Sequence, residues 1–387
     1  MLPVDAIPAQ PSLPQSTNLN TYTHALAGLG ALGVALQNYP AVVLFINGLT
    51  NGVLPASRCL DWSIQIAALG TGGLCSGMVN FWMNIDLLNA FFKRMTSEDD
   101  YTYKRLSAWQ KFLYFSGIFV FVVTGILFGL MAFTFAMEGP LAILSIAAGV
   151  LVAAIMTIQE VETWLAYVET WLTSEDTPDA RVEAPLTHTQ VMGKWVGHVI
   201  AAGNVLALSL LFTLSLAQGL MALQVAAFPA LLTGFAVAFS FGAFTEYFFY
   251  NVYLSEFCKN FGENWAKMTA IPHAWFGLLC VSTNAFVNGA TTYAGVELLT
   301  GVLLAAHIAL PSLAVITALA AVSAFFAGTA SFVLGLDFWI KQNPVTPQAT
   351  PPVSITTTGL SMFPAANEAS HKLQTAVQQD ITTLMQA

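Results

Sequence analysis

Charged residues are scarce in this chain. Of its 387 residues, 12 are Lys or Arg and 21 are Asp or Glu, so charged residues make up 9% of the total. An ordinary soluble domain carries about 25% charged residues. The net charge is −9, and so few basic side chains cannot form the basic surface that nucleic acid requires. The composition therefore excludes a typical soluble domain and a nucleic-acid partner.

Cysteine pairs and catalytic motifs are missing as well. The four cysteines form no C-x-x-C pair, so we expect neither a disulfide framework nor a zinc site. The chain contains no Walker A loop, no G-x-S-x-G elbow and no H-E-x-x-H helix, and no catalytic pair is concentrated in one stretch. We therefore expect neither an enzyme, nor a pump driven by its own nucleotide site, nor a bound cofactor.

Long apolar runs are what the sequence has instead. Hydrophobic residues make up 56% of the chain, and the mean hydropathy is +0.67. About 20 apolar residues are enough for a helix to cross the hydrocarbon core of a bilayer. We predict an all-α integral membrane protein, embedded in the lipid bilayer, with about eight transmembrane helices. The runs lie at 24–50, 61–92, 109–137, 140–171, 194–226, 229–257, 274–300 and 309–340.

Consecutive runs are predicted to pair into four helical hairpins within a membrane domain at 22–342. A polar tail at 1–21 precedes this domain, and a Pro/Thr-rich linker follows at 343–363. Apolar residues at helical spacing predict a short amphipathic helix at 364–387. The hairpins lie at about 24–92, 107–171, 193–257 and 273–340.

Basic residues fall almost entirely on one side of the predicted spans. Ten lie in or beside the loops after the second, fourth and sixth spans or after the last span, and only Arg58 lies on the opposite side. By the positive-inside rule, both termini and the charged loops are predicted to be cytoplasmic. The ten are Lys93, Arg94, Lys104, Arg105, Lys111, Arg181, Lys194, Lys259, Lys267 and Lys341.

The hairpins show signs of an internal repeat. Trp109, Trp195 and Trp275 occupy the same place at the start of the last three hairpins. In the second and third hairpins, 53 residues separate the first residue from an acid, Glu160 or Glu246. In the first and fourth, 62 and 64 residues lead to Asp86 and Asp337. The spacing predicts a fourfold repeat in which the second hairpin matches the third and the first matches the fourth.

The four acids are the main candidates for function, because acidic side chains are costly inside a membrane. At one depth near the cytoplasmic side they could form a cation site or a selectivity ring, and hard cations prefer carboxylate and carbonyl oxygens. Further candidates are polar residues of the same spans that could add ligands or relay protons. These are Glu162, His24, His273, Asn47 and Asn288.

A structural explanation of the acids stands beside the functional one. Each acid could pair with a basic group of its own hairpin and simply hold two helices together. The pairs would be His24 with Asp86, Lys111 with Glu160, Lys194 or His198 with Glu246, and His273 with Asp337.

Two functions are consistent with these patterns. The first is a transporter or channel for a small cation, with divalent metals among the candidates, that uses the repeat-equivalent acids. The second is a membrane scaffold that acts through its cytoplasmic loops and binds a protein partner at its C-terminal tail.

Overall fold

The structure, a computed structural model, is helical throughout the residues that it describes and contains no strand there. The predicted linker, the predicted C-terminal helix and most of the predicted N-terminal tail lie outside those residues. The described ranges are 15–50, 57–96, 107–139, 142–174, 186–310 and 312–343.

Eleven α-helices follow one another in the described part of the chain. The first five are α1 (Gln15–Thr50), α2 (Arg58–Ala68), α3 (Ser76–Thr96), α4 (Ala108–Met137) and α5 (Ser145–Ser174). The other six are α6 (His188–Ala222), α7 (Ala227–Val237), α8 (Ala243–Lys259), α9 (Phe261–Ala270), α10 (Ala274–Ala305) and α11 (Leu313–Gln342). A single 3₁₀ turn, Ala142–Leu144, precedes α5.

Two π-helical segments join pairs of helices into longer rods. Leu69–Cys75 connects α2 to α3, and Ala238–Gly242 connects α7 to α8. A π turn shifts the side chains that follow it around the helix axis, and such turns are frequent at functional sites. At Gly72 a Cβ atom would lie 2.8 Å from the carbonyl oxygen of Asn38. A residue without a side chain is therefore needed for the first π segment to approach the backbone of α1.

Six helical segments in the described ranges are long and apolar enough to cross a membrane. By length and composition they fit a multi-pass membrane protein. Two further long helical segments, 58–96 and 274–305, are outside this set. Both carry several Asn, Ser or Thr residues that face the interior of the bundle. The six segments are Thr21–Thr50, Ala108–Met137, Ala142–Ala166, His188–Ala222, Ala227–Lys259 and Leu313–Gln342.

Local sequence fixes where two of the long helices begin. Ser107 and Thr187 are N-cap residues whose side chains accept the backbone N–H of Gln110 and Gln190. In turn, the side-chain oxygen of each glutamine accepts the backbone N–H of its cap residue. These capping boxes satisfy N–H groups that the first helical turn leaves free.

Consecutive long helices pack against each other as hairpins, and the hairpins close around a shared core. At the centre of this core α4 meets α6, where the rings of Phe128 and Phe212 pack edge to face with centroids 4.9 Å apart. Ala41 of α1, Val152 of α5 and Ala294 of α10 complete the same buried cluster. The core lies beside a polar cavity, because Phe128 and Val152 also line that cavity.

Candidate functional site

A cavity of about 140 Å³ lies inside the helical bundle. Residues of α1, α3, α4, α5, α6, α8, α10 and α11 line it, so every hairpin contributes both of its helices. Its lining combines apolar side chains with two acids and a ring of amides. The amides are Gln37, Asn38, Asn80, Asn84, Gln159, Asn204, Asn284 and Asn288.

The two acids of the cavity are Glu160 and Glu246, and they meet. Glu160 lies near the middle of α5, and Glu246 lies near the middle of the rod formed by α7, its π segment and α8. They are 2% and 1% exposed. Their side chains lie close enough to interact directly. The site therefore joins the second hairpin to the third at mid-helix depth.

Among the described residues, no basic side chain bonds to this acid pair. Glu160 Oε2 and Glu246 Oε1 receive no hydrogen bond from any described residue. The described residues that line the cavity include no Lys, Arg or His. The structural explanation required Glu160 and Glu246 to pair with basic groups of their own hairpins. In the described part of the chain, neither acid forms such an ion pair.

Two buried amides beside the acids also have unused hydrogen-bonding capacity. Asn84 and Asn204 are each 3% exposed, and the Nδ2 atom of each lacks a partner in the described structure. The Oδ1 atom of Asn84 accepts a bond from Gln159, the neighbour of Glu160. Buried polar groups normally find partners in protein or water. Four such atoms around one cavity indicate a place that water or a ligand fills.

On the other side of the cavity, amides and hydroxyls form a connected network. Asn38 Nδ2 donates to Ser76 Oγ at 2.7 Å, and Ser76 Oγ donates to Asn284 Oδ1 at 3.0 Å. Asn284 Nδ2 and Asn288 Nδ2 both donate to Ser331 Oγ, at 3.0 and 2.9 Å. The network links α1, α3, α10 and α11, and it therefore ties the first hairpin to the fourth.

Asp86 and Asp337 do not reach the cavity. Asp86 is half-buried and accepts a bond from Gln342 Nε2 at 3.2 Å. Asp337 lies five residues before the end of α11 and pairs with Lys341 on the same helix. The structure therefore brings together two of the four acids that the spacing singled out. Asp337 is much nearer its helix end than Glu160 is. Counting residues from the start of each hairpin did not reveal this difference, because the count takes no account of different turn lengths.

Glu162 is bound elsewhere, although it is only two residues from Glu160. Its carboxylate accepts bonds from Arg94 Nε at 3.0 Å and from a terminal Arg94 nitrogen at 3.1 Å. The side chain of Glu162 is 6% exposed and that of Arg94 is 29% exposed. This ion pair holds the end of α3 against α5.

The remaining candidates divide between the cavity and the surface. Asn288 lines the cavity and belongs to its amide network. His24, His273 and Asn47 are exposed and do not line it. The ring of His24 lies against that of Phe81.

Sequence reasoning missed most of the amides and Tyr250, which lines the cavity near both acids. Asn38, Asn84, Asn204 and Asn284 are amides inside apolar runs. Such residues usually face the interior of a helix bundle, where they bond across helices. That signal was available, but it does not say which amides share one cavity.

Comparisons of the chain with protein-family models, with curated proteins and with solved structures gave no match.

Proposed function

We propose that this chain is a multi-pass membrane transporter or channel that moves a small cation through the site formed by Glu160 and Glu246. The observation that carries the proposal is the close approach of two buried carboxyl groups in a cavity where no basic residue is among the described lining residues. Ionisable residues inside membrane helices commonly mark an ion pathway.

Electrostatics supports a cation in this place. Removing an ionised carboxylate from water costs several kcal/mol even after relaxation, and two in contact repel each other as well. In a structural ion pair, a basic side chain would offset this cost, as Arg94 does for Glu162. The Glu160–Glu246 pair has no such partner in the described chain, so a mobile positive charge is the natural counterpart.

We propose eight spans with both termini cytoplasmic. Segments 58–96 and 274–305 would then cross the membrane beside the six more apolar helices. Their support is their length and their contribution to the cavity lining, which requires them to pack among the other helices. The concentration of basic residues in alternate loops supports the orientation.

We also propose that the internal repeat consists of two units of two hairpins each. One π segment lies in the second rod of the first hairpin, and the other lies in the second rod of the third hairpin. In the second and fourth hairpins, a side chain at Gly117 or Gly277 would overlap the ring of Trp164 or Trp339. This supports a match of the first hairpin with the third and of the second with the fourth, in place of the match that the acid spacing predicts.

The cavity lining supports the same division. Equivalent faces of α5 and α11, of α3 and α8, and of α4 and α10 line it from the two units. On α5 and α11, Val152, Met156 and Gln159 match Ala327, Ser331 and Leu334. On α3 and α8, Asn80, Met83 and Asn84 match Glu246, Phe249 and Tyr250. On α4 and α10, Phe128 and Met131 match Asn288 and Thr291.

Cation uptake into proteoliposomes tests the function. We expect the purified wild-type protein to catalyse uptake and the Glu160→Gln/Glu246→Gln double variant to lose it by more than about tenfold. Losing charge-assisted contacts of about 1.5–3 kcal/mol has at least this effect. The matched control is Asp86→Asn/Asp337→Asn, which neutralises two acids outside the cavity and should retain uptake.

Unchanged uptake in the Glu160→Gln/Glu246→Gln variant would overturn the proposed site. Wild-type uptake no faster than that of protein-free vesicles, for every cation tried, would overturn transport itself and favour the scaffold function.

A further inference from the structure

The charge, donor atoms and size of the cavity restrict the class of cation that can bind there. We propose that the Glu160–Glu246 site binds a hard divalent cation that keeps part of its water shell. This inference rests on the proposed function, and it goes further by naming the class of ion.

The charge balance favours a divalent ion. The two carboxylates carry two negative charges when both are ionised, and no Lys, Arg or His stands among the described lining residues to offset either charge. One divalent cation between them gives a neutral buried cluster. A monovalent cation balances only one of the two charges, so the second carboxyl group would have to bind a proton as well.

The donor atoms favour a hard ion. The cavity offers carboxylate and amide oxygens and the hydroxyls of Tyr250, Ser331 and two threonines. Within the described part of the chain, no histidine or cysteine lines it. Magnesium, calcium and manganese prefer oxygen ligands, whereas zinc and copper sites are usually built with imidazole or thiolate. The lining therefore selects for oxygen-seeking divalent ions.

Two carboxylates alone cannot complete the six or more ligands that such an ion takes, so water must supply others. The cavity of about 140 Å³ has room for this, because one water needs only about 10–15 Å³ of such space. Magnesium in proteins is commonly held by one or two carboxylates and retains several waters.

Buried amides give independent evidence that the cavity is hydrated. Asn84 and Asn204, 3% exposed, each have an Nδ2 atom without a partner in the described structure. Gln37, 6% exposed, also lines the cavity, and its side chain makes no hydrogen bond to the described residues. These groups can hold the water that surrounds the ion, and none of them is needed for the contact between the acids.

Thermal unfolding of the purified full-length protein tests the class of ion. A ligand that binds only the folded state raises the melting temperature with its concentration. We expect MgCl₂, CaCl₂ or MnCl₂ to raise it, and NaCl at matched ionic strength to leave it unchanged. The rise should disappear in Glu160→Gln/Glu246→Gln and remain in Asp86→Asn/Asp337→Asn. The same ions should be taken up by proteoliposomes, and their order of uptake rate should follow the order of the rises in melting temperature that they produce.

Different failures separate this inference from the function on which it rests. If NaCl produced an equal or larger shift and sodium were taken up, the divalent class would be overturned while cation transport remained. If ZnCl₂ alone acted through the two acids, the preference for a hard ion would be overturned. An equal shift by divalent ions in the Glu160→Gln/Glu246→Gln variant would place their binding elsewhere. An absence of uptake for all ions would remove the proposed function.

Discussion

At the scale of single residues, two neighbouring glutamates have opposite roles. Glu162 is compensated by Arg94, whereas Glu160 faces a second carboxyl group. The two differ by only two positions on α5, and this changes the direction in which a side chain points by about half a turn. The sequence identified Glu160 by its spacing and Glu162 as a further polar residue of the same span. It could not show which one has a basic partner, because Arg94 belongs to another hairpin.

This contrast predicts opposite effects on stability. We expect Glu162→Gln to lower the free energy of unfolding by about 1–3 kcal/mol, since hydrogen bonds between charged groups are lost. Glu160→Gln should leave stability unchanged or raise it, because neutralising one member of a buried, uncompensated pair removes repulsion and desolvation cost. Thermal unfolding of both variants in detergent, without added divalent ions, measures the difference. A larger loss in Glu160→Gln than in Glu162→Gln would contradict this account of the pair.

At the scale of elements, the π segments decide how the polar faces of two rods meet the cavity. The first packs directly on the backbone of α1, and Asn38 at that contact also lines the cavity. The sequence predicted helices here and nearly the right bounds, but not the π turns. A π turn depends on the neighbour that the wider turn accommodates, so apolar periodicity alone does not reveal it.

The contact at the first π segment gives a test with an internal control. We expect Gly72→Ala to destabilise the protein by about 1–3 kcal/mol, because the added methyl would meet a backbone carbonyl that cannot move aside easily. Gly70→Ala, in the same segment, meets no atom within 4 Å, and it should be neutral or stabilising by up to about 1 kcal/mol, since alanine favours helix. Unfolding of the two variants under identical conditions makes the comparison. Equal losses would show that the close approach to α1 is not what requires glycine.

At the scale of the whole molecule, the four-hairpin arrangement follows from the hydrophobic pattern, whereas the convergence of its polar residues does not. The equal spacing placed Glu160 and Glu246 at matching depth, and the structure makes them neighbours. The same reasoning grouped Asp86 and Asp337 with them, although these two lie outside the cavity. Depth along a helix can be counted from sequence, but the direction of a side chain around the bundle depends on how all the hairpins pack.

The topology can be tested at the segment whose crossing is least evident from hydropathy. Cys59, exposed at the start of α2, and Met95, exposed at the end of α3, lie at opposite ends of 58–96. If this segment spans the membrane, a membrane-impermeant maleimide should label the two positions from opposite sides. The experiment uses wild-type Cys59 and a Met95→Cys variant in which Cys59 is Ser, in sealed vesicles of known orientation. Labelling of both positions from one side would exclude the crossing.

The amide network between the first and last hairpins has a consequence for how the protein is made. Ser76 bonds to Asn284, 208 residues later in the chain. In the proposed eight-span arrangement, the first hairpin enters the bilayer during synthesis long before the fourth hairpin emerges from the ribosome. Until then, Asn38 and Ser76 lack the bonds that the fourth hairpin provides, and unsatisfied polar groups are costly in hydrocarbon. The newborn chain must therefore keep its earliest helices loosely associated, or shielded by the insertion machinery, until the last hairpin arrives and closes the bundle.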